Sequence, residues 1–236
     1  MENFTATFGN SVADALPIER AAFIRKTYAH LAGAVLLFIL LESYLVISGA
    51  GFWMAQTMLG GRFSWFIVLG AFMGVSMLAN WWANSQTSRP LQYMGLMLYI
   101  VAETIIFLPL LFMAAIKSGG GQIIIQAGII TAGLFAGLTA VVFLSRKDFS
   151  FLGPILAIGG FVALGFIAAS LLFGFSLGNL FAFVMVAFAG GAILYHTSNI
   201  LHRYRTDQHV AASLSLFASV ALLFWYVLRI FMSSRN

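Results

Sequence analysis

Residues 151–173 read FLGPILAIGGFVALGFIAASLLF and contain no charged side chain. About 20 consecutive apolar residues are enough to cross the hydrocarbon core of a bilayer as one helix. Because every backbone amide must be hydrogen-bonded inside a bilayer, such a stretch predicts a transmembrane helix. Six further runs share its length and composition, at 29–48, 65–84, 91–115, 122–144, 179–201 and 210–232. The sequence therefore predicts an all-α integral membrane protein with seven transmembrane helices.

The composition supports the same class. Hydrophobic residues make up 61% of the 236 positions and charged residues 8%, whereas a soluble chain carries about 25% charged residues. The mean hydropathy is +0.98. The connections are short and glycine-rich, as at 49–51 and 119–121, and leave no room for a further domain. We divide the chain into an N-terminal tail, residues 1–26, and a seven-helix domain, residues 27–236.

The basic residues indicate the orientation. The net charge is +5, but the twelve Lys and Arg are scattered at the ends of the apolar runs, which argues against a nucleic-acid partner. Loops rich in Lys and Arg tend to remain cytoplasmic. Eight basic residues belong to one side, which holds the tail, and four to the other. The pattern predicts a cytoplasmic N-terminus and a C-terminus outside.

No catalytic or metal-binding pattern stands out. The chain has no cysteine, which excludes disulfides and thiolate metal sites. His196 and Ser219 are on adjacent segments, but no nucleophile elbow or set of oxyanion donors accompanies the serine. His202 and His209 have no known zinc spacing and are interpreted as solvated loop histidines. We therefore expect a protein that is not an enzyme and has no cofactor and no metal.

Three ionisable residues fall at membrane depth: Glu42, Glu103 and His196. Such residues are costly in lipid and mark a pathway, a switch or an internal pair. If a glutamate met His196, their opposite charges would favour ionisation of both. Alternatively, each residue forms a hydrogen bond to a neighbouring helix and only fixes the packing.

Weaker polar stripes accompany these residues. Asn80 repeats the position of Ser76 along one face of its helix, Asn199 shares a face with His196, and Ser219 shares one with Ser215. A polar cavity and plain interhelical hydrogen bonding both account for them. The candidate pH-sensing or pore-lining residues are His196, Ser219, Glu42, Glu103, Asn199 and Asn80.

Glycines recur at four-residue spacing in two segments. Gly70 with Gly74, and Gly133 with Gly137, have the spacing that lets two helix backbones approach closely. Helix dimerisation and packing inside the bundle both use this pattern. In a chain with seven helices we expect internal packing.

Four stretches carry a family resemblance that covers nearly the whole chain. They are FIRKTY at 23–28, SRKDFSFLG at 145–153, GAILYHTSNILH at 191–202 and SLSLF at 213–217. In order and spacing the chain resembles the Bax inhibitor-1 family, also called the transmembrane Bax inhibitor motif family, and within it the bacterial YccA-like branch. The resemblance implies a seven-helix bundle in which the last helix is surrounded by the other six.

Some members of that family are proposed to be pH-sensitive calcium leak channels, in which two aspartates on the last two helices share a proton. This sequence has His196 in place of the first aspartate, Ser219 in place of the second, and Leu222 where many relatives carry asparagine. A shared proton needs two carboxyl groups close together, so that gate cannot operate in this chain as described. A calcium path prefers charged oxygen ligands, so the substitutions also argue against calcium permeation at this position. The substitutions leave open a histidine switch, protonated below about pH 6.5.

The YccA-like branch implies another role, which is to bind and modulate the membrane-anchored ATP-dependent protease that degrades misassembled membrane proteins. A weakly structured cytoplasmic tail of about 25 residues is a suitable handle for such a protease. The leading hypothesis is a non-enzymatic regulator in the bacterial inner membrane, acting in membrane-protein quality control or stress survival. The alternative is a pH-gated calcium or proton leak channel.

Overall fold

The computed structural model describes residues 11–86, 88–119 and 121–234. Over these residues the chain forms eight helices and an isolated bridge between Ser11 and Arg205. Seven helices, all but α2, are long and apolar enough to cross a membrane. The prediction of an all-α integral membrane protein is confirmed. The helices are α1 (Pro17–Ile47), α2 (Ala50–Leu59), α3 (Arg62–Ala83), α4 (Arg89–Ser118), α5 (Gln122–Ser145), α6 (Leu152–Phe173), α7 (Gly178–His202) and α8 (His209–Ser233).

Helix α1 begins well before the apolar run that predicted it. Pro17 stands in its first turn, where the fixed φ of proline suits a helix start and its missing amide hydrogen is not needed. Phe23, one turn further on, is buried in the main core. The boundary drawn at residues 26 and 27 therefore falls inside α1, and the described part of the tail, residues 11–26, packs on the bundle instead of forming a weakly structured segment.

Helix α2 occupies a connection that the sequence indicated only as a turn. Gly49 has φ of 76°, a left-handed conformation that favours glycine, and it separates α1 from α2. A Cβ on Gly51 would lie 3.0 Å from the carbonyl oxygen of Leu45 and 3.1 Å from a methyl carbon of Leu108. The glycines at this connection therefore both reverse the chain and let α2 pack against α1 and α4.

The last helix, α8, lies inside the bundle, but it packs closely against five of the other transmembrane helices instead of all six as the resemblance implied. It packs against α1, α3, α4, α5 and α7, while α6 packs mainly on α7. Aromatic rings fill the space around it, with Phe217 6.0 Å from Phe38 between ring centroids and Trp225 4.9 Å from Phe107. The surface of α6 is instead largely apolar and exposed, as expected for a helix that faces lipid.

The expectation for the spaced glycines was wrong. Cβ atoms built on Gly70, Gly74, Gly133 and Gly137 would meet no atom of the described residues within 4 Å, so these four glycines do not bring helices of the bundle together. The close approach occurs instead at Gly95 of α4. A Cβ there would lie 2.5 Å from the carbonyl oxygen of Ala79 and 2.6 Å from the amide nitrogen of Ala83 in α3.

The connections α3–α4, α5–α6 and α7–α8 lie at the end of the bundle where α1 begins. We call this end the N-terminal side. The Ser11–Arg205 bridge and a hydrogen bond between the α5–α6 connection and α7 join its segments to one another.

Candidate functional site

His196 lies in α7, about 9 Å from the end of that helix at His202. Its Nδ1 atom is buried and has no hydrogen-bond partner within the described residues. The ring contacts Tyr195, with 5.1 Å between centroids. One ring nitrogen of the imidazole that the sequence singled out is therefore buried and unsatisfied within the described part of the chain.

Ser219 lies on the central helix and forms no hydrogen bond with His196. Its hydroxyl donates to the carbonyl oxygen of Ser215 on its own helix at 2.9 Å. A serine nucleophile requires a base within hydrogen-bond reach, and this hydroxyl is directed to the backbone instead. The geometry supports the interpretation that the two residues are not a catalytic pair.

The two buried glutamates lie on different helices, α1 and α4, and neither is on α7 with His196. Glu42 lies about 18 Å along α1 from His30, towards the opposite side of the bundle. Both of its carboxyl oxygens are buried without a hydrogen-bond partner among residues that the structure describes. Glu103 is buried in α4 beside the side chain of Tyr99, one turn earlier. No ion pair between a glutamate and His196 is formed in the described part of the chain.

The two asparagines lie nearer the N-terminal side. Asn80 donates to the carbonyl oxygen of Ser76 on its own helix at 2.9 Å. Asn199 is buried, and its Oδ1 atom has no partner within residues 11–86, 88–119 and 121–234. Asn199 also lines a pocket of about 260 Å³, together with Arg203, Tyr204 and Gln208.

The six candidate residues thus do not converge on one site. Two of them, His196 and Asn199, share the C-terminal half of α7, near the N-terminal side of the bundle, whereas Glu42 and Glu103 are on α1 and α4. The described residues also contain no group of three or more His, Asp or Glu side chains that could hold a metal ion.

A polar network on the N-terminal side was missed by sequence reasoning. The hydroxyl of Ser198 accepts from the amide of Phe149 at 2.9 Å and donates to Oδ1 of Asp148 at 3.3 Å. Asp148 also lies 3.9 Å from the guanidinium of Arg203. The α5–α6 connection is thereby attached to the end of α7, and two of the stretches that carry the family resemblance contact each other.

The carboxylate of Asp148 is stabilised in its charged form. The amide of Ser150 donates to it at 2.8 Å, and this backbone hydrogen bond is the main reason that the pKa of Asp148 lies below its ordinary value. Arg203 and Ser198 lower the pKa further. The network is therefore charged at neutral pH.

The N-terminal segment is attached to the α7–α8 connection. The amide of Val12 donates to the carbonyl oxygen of Tyr204 at 2.9 Å, and the Val12 side chain is 0% exposed. Arg20 in α1 donates from Nε to the carbonyl oxygen of Val12 at 2.9 Å. The hydroxyl of Tyr204 in turn donates to Ser215 of α8 at 3.2 Å, so the segment connects to the central helix.

The α7–α8 connection is itself fixed by charge. Arg205 donates to Asp207 through two nitrogens, at 3.1 and 2.9 Å. These hydrogen bonds to the Asp207 carboxylate raise the pKa of Arg205 above its ordinary value. Its amide also donates to Oε1 of Gln208 at 3.0 Å. These contacts hold the conformation of the short loop to which the N-terminal segment is attached.

The interpretation of His202 and His209 as solvated loop histidines was wrong. His202 is the last residue of α7, and its Nδ1 lies 3.0 Å from the carbonyl oxygen of Ser198. His209 is the first residue of α8, and its ring lies 5.0 Å from that of His30 between centroids. The sequence gave no signal for the second contact, because His30 and His209 are far apart in the chain.

Seven apolar helices with a buried last helix and a networked, charged N-terminal side define an integral membrane protein of the seven-helix type. The family described as "Inhibitor of apoptosis-promoting Bax1" matches residues 20–236. The chain belongs to the Bax inhibitor-1 family.

Relatives come from several kingdoms. Bax inhibitor 1 of Schizosaccharomyces pombe is 32% identical over 93% of this chain and 79% of its own length. An uncharacterized protein of Pseudomonas aeruginosa is 33% identical over 90% of both chains. The Golgi anti-apoptotic protein of vaccinia virus (strain Lister) is 28% identical over 94% of this chain and 90% of its own. The similarity thus extends through the whole bundle.

Proposed function

We propose that this protein is a non-enzymatic membrane regulator that acts through its N-terminal side in membrane-protein quality control or stress survival. Its partner is a membrane-anchored ATP-dependent protease. The observation that carries this proposal is the attachment of residues 11–16 to the α7–α8 connection through Val12 and Tyr204. A partner that holds the first ten residues then acts on a segment connected to the central helix.

The names of relatives agree with a role in survival. One relative is named as an inhibitor of Bax and another as an anti-apoptotic protein. A bacterial regulator of this kind belongs in the inner membrane with its N-terminus in the cytoplasm, and the excess of basic residues on the N-terminal side supports that orientation.

Deletions in the N-terminal tail test whether it binds the protease. Deletion of residues 1–26 would remove Phe23 and the first turns of α1, and the bundle itself would suffer. Deletion of residues 2–10 leaves every described contact in place. We expect the shortened protein to lose co-purification with the protease while its thermal unfolding is unchanged. Undiminished co-purification would refute the tail as the contact.

Orientation is tested by labelling, and the absence of native cysteine makes the experiment clean. Single cysteines at Lys147 and Phe175 lie in connections on opposite sides of the bundle. A membrane-impermeant maleimide added to intact cells should label Phe175→Cys and not Lys147→Cys. The reverse pattern would contradict a cytoplasmic N-terminus.

A second candidate function is a pH-sensitive leak of protons or calcium, which the unsatisfied buried groups of His196 and Glu42 favour. Unpaired ionisable groups at membrane depth often belong to an ion path. Purified protein in liposomes should then show a flux that His196→Ala alters in its pH profile and Glu42→Gln lowers. Flux equal to that of empty liposomes would leave the regulator as the better proposal.

A further inference from the structure

An open groove runs between α1 and α4 on the outer surface of the bundle. Its volume is about 310 Å³, which is at the lower limit of small-molecule sites, about 300–1,000 Å³. It extends for about 10 Å along the helices, from His30 to Leu37 and from Tyr93 to Ile100. Its walls below His30 and Tyr93 are apolar.

The end of the groove on the N-terminal side is polar and basic. Nδ1 of His30 donates to the carbonyl oxygen of Lys26 at 2.7 Å, so in the neutral ring Nε2 accepts from the Tyr93 hydroxyl at 3.2 Å. The Tyr93 oxygen then accepts from Nε2 of His209 at 3.5 Å. These contacts fix the three rings at the top of the groove.

Two basic residues, Lys26 and Arg89, extend the two rows of residues that line the groove. Lys26 precedes His30 by one turn of α1, and Arg89 precedes Tyr93 by one turn of α4. Both are exposed, and both act electrostatically on His209. Asp207 also acts on His209, but Arg205 holds its carboxylate at 2.9 Å. The excess charge at the head of the groove is therefore positive.

We propose that this groove binds one anionic phospholipid of the leaflet on the N-terminal side. One acyl chain lies against the apolar walls, and the phosphate contacts Lys26 and Arg89. Arginine and lysine are the side chains that bind phosphate, and basic residues at a membrane surface favour anionic lipids. A phospholipid carries its charge at the membrane surface and its hydrocarbon below. The groove has the matching arrangement, with two cations at the interface above apolar walls.

Gly33 gives a direct way to fill the groove. It lines the wall on α1, and a Cβ placed on it would meet no described atom within 4 Å, so a larger side chain enters open space. We expect Gly33→Leu to occupy the space of the acyl chain. Gly165→Leu in α6 is the matched control, because Gly165 also has open space around its Cβ within the described chain and is not in the groove.

A second variant, which combines Lys26→Gln with Arg89→Gln, tests the contribution of the positive charge. Its control is Arg146→Gln with Lys147→Gln, which removes the same charge from the α5–α6 connection on the same side. The full-length protein is placed in phosphatidylcholine nanodiscs containing phosphatidylglycerol, and native mass spectrometry counts the lipids that remain bound. A phosphatidylglycerol with a photoreactive acyl chain shows which helices it touches.

We expect retention of one phosphatidylglycerol, with crosslinks to α1 and α4 in the groove. The Lys26/Arg89 variant should lower its retention about thirtyfold, because each of the two basic contacts contributes about 1 kcal/mol. Gly33→Leu should also lower it, and both controls should retain it. Equal retention of phosphatidylcholine, equal loss in the Arg146/Lys147 control, or unchanged retention in Gly33→Leu would overturn the proposal. Because Lys26 and Arg89 are exposed, their variant tests binding even where Gly33→Leu disturbs folding.

Discussion

The hydroxyl oxygen of Ser198 lies 2.9 Å from the amide nitrogen of Phe149 and accepts its hydrogen bond. Ser198 is fully buried near the end of α7, and Phe149 belongs to the connection between α5 and α6. A single side chain thus satisfies a backbone donor of another segment. The loop that follows α5 is positioned by this bond.

Replacing that hydroxyl should loosen the connection. Ser198→Ala leaves the Phe149 amide without its partner, at a cost of about 1–2 kcal/mol, and should lower the thermal unfolding midpoint measured by tryptophan fluorescence. Ser170→Ala is the control, because the Ser170 hydroxyl donates only to its own helix, at the carbonyl oxygen of Ile167. Equal midpoints for the two variants would argue against the structural role of Ser198.

The charge of Asp148 should stabilise the fold above acid pH. A carboxyl whose folded pKa lies below 3.8 stabilises the folded state at neutral pH, and this contribution disappears as the pH falls through the folded pKa. Asp148→Asn keeps an oxygen acceptor but removes the charge. Since Asp148 is half-exposed, the expected loss is less than about 1 kcal/mol.

The measurement is the difference in unfolding midpoint between wild type and Asp148→Asn from about pH 7 to about pH 3. The difference should be constant at the upper end and become smaller towards the lower end. Asp14→Asn removes the same charge from an exposed residue on the N-terminal side and serves as the control. A difference that grows as the pH falls would contradict the direction of the pKa shift.

Val12 should hold the N-terminal segment on the bundle. Val12→Asp places a charge in a fully buried position and removes apolar burial that contributes about 1.5–3 kcal/mol. Amide hydrogen exchange of residues 11–16 should become faster, with little change in α4 or α8. Ala13→Asp changes the adjacent exposed residue and should leave exchange as in the wild type. Slow exchange in both variants would mean that Val12 does not hold the segment.

Gly95 should tolerate no larger residue. A methyl group there would overlap the backbone of α3 at Ala79 and Ala83, and overpacking of this kind costs about 1–3 kcal/mol. Gly95→Ala should therefore lower the unfolding midpoint. Gly70→Ala, whose methyl group enters open space in the described structure, should leave it unchanged or raise it through better helix propensity. A stable Gly95→Ala would show that α3 and α4 separate easily.

Hydropathy predicted the number of transmembrane helices and the fold class, because the bilayer imposes a length and a composition on every span. It did not predict the start of α1 at Pro17, since the first turns are polar and lie beyond the apolar run. It also missed α2, because Gly49 and Gly51 were interpreted only as breakers. Where a helix begins near a membrane surface depends on tertiary contacts, and a hydropathy profile does not include them.

The partners of the polar residues were not predictable from one sequence. The same spacing that suggested close packing at Gly70 and Gly74 leaves them in open space, while Gly95 has no such spacing. Likewise, nothing local links His30 with His209, or Asp148 with Ser198. Which helix faces meet depends on how the helices are arranged in the bundle. No short pattern in the sequence gives that arrangement.

The central place of α8 has a consequence for biosynthesis. The helix around which the others pack leaves the ribosome after α1 to α7, so the preceding spans enter the membrane before the element that completes their core exists. Until then their inward polar groups lack a neighbour, and the nascent bundle is an incompletely packed intermediate. A chain that stops before residue 209 therefore lacks the helix against which α1, α4, α5 and α7 pack, and we expect it to insert without completing its core.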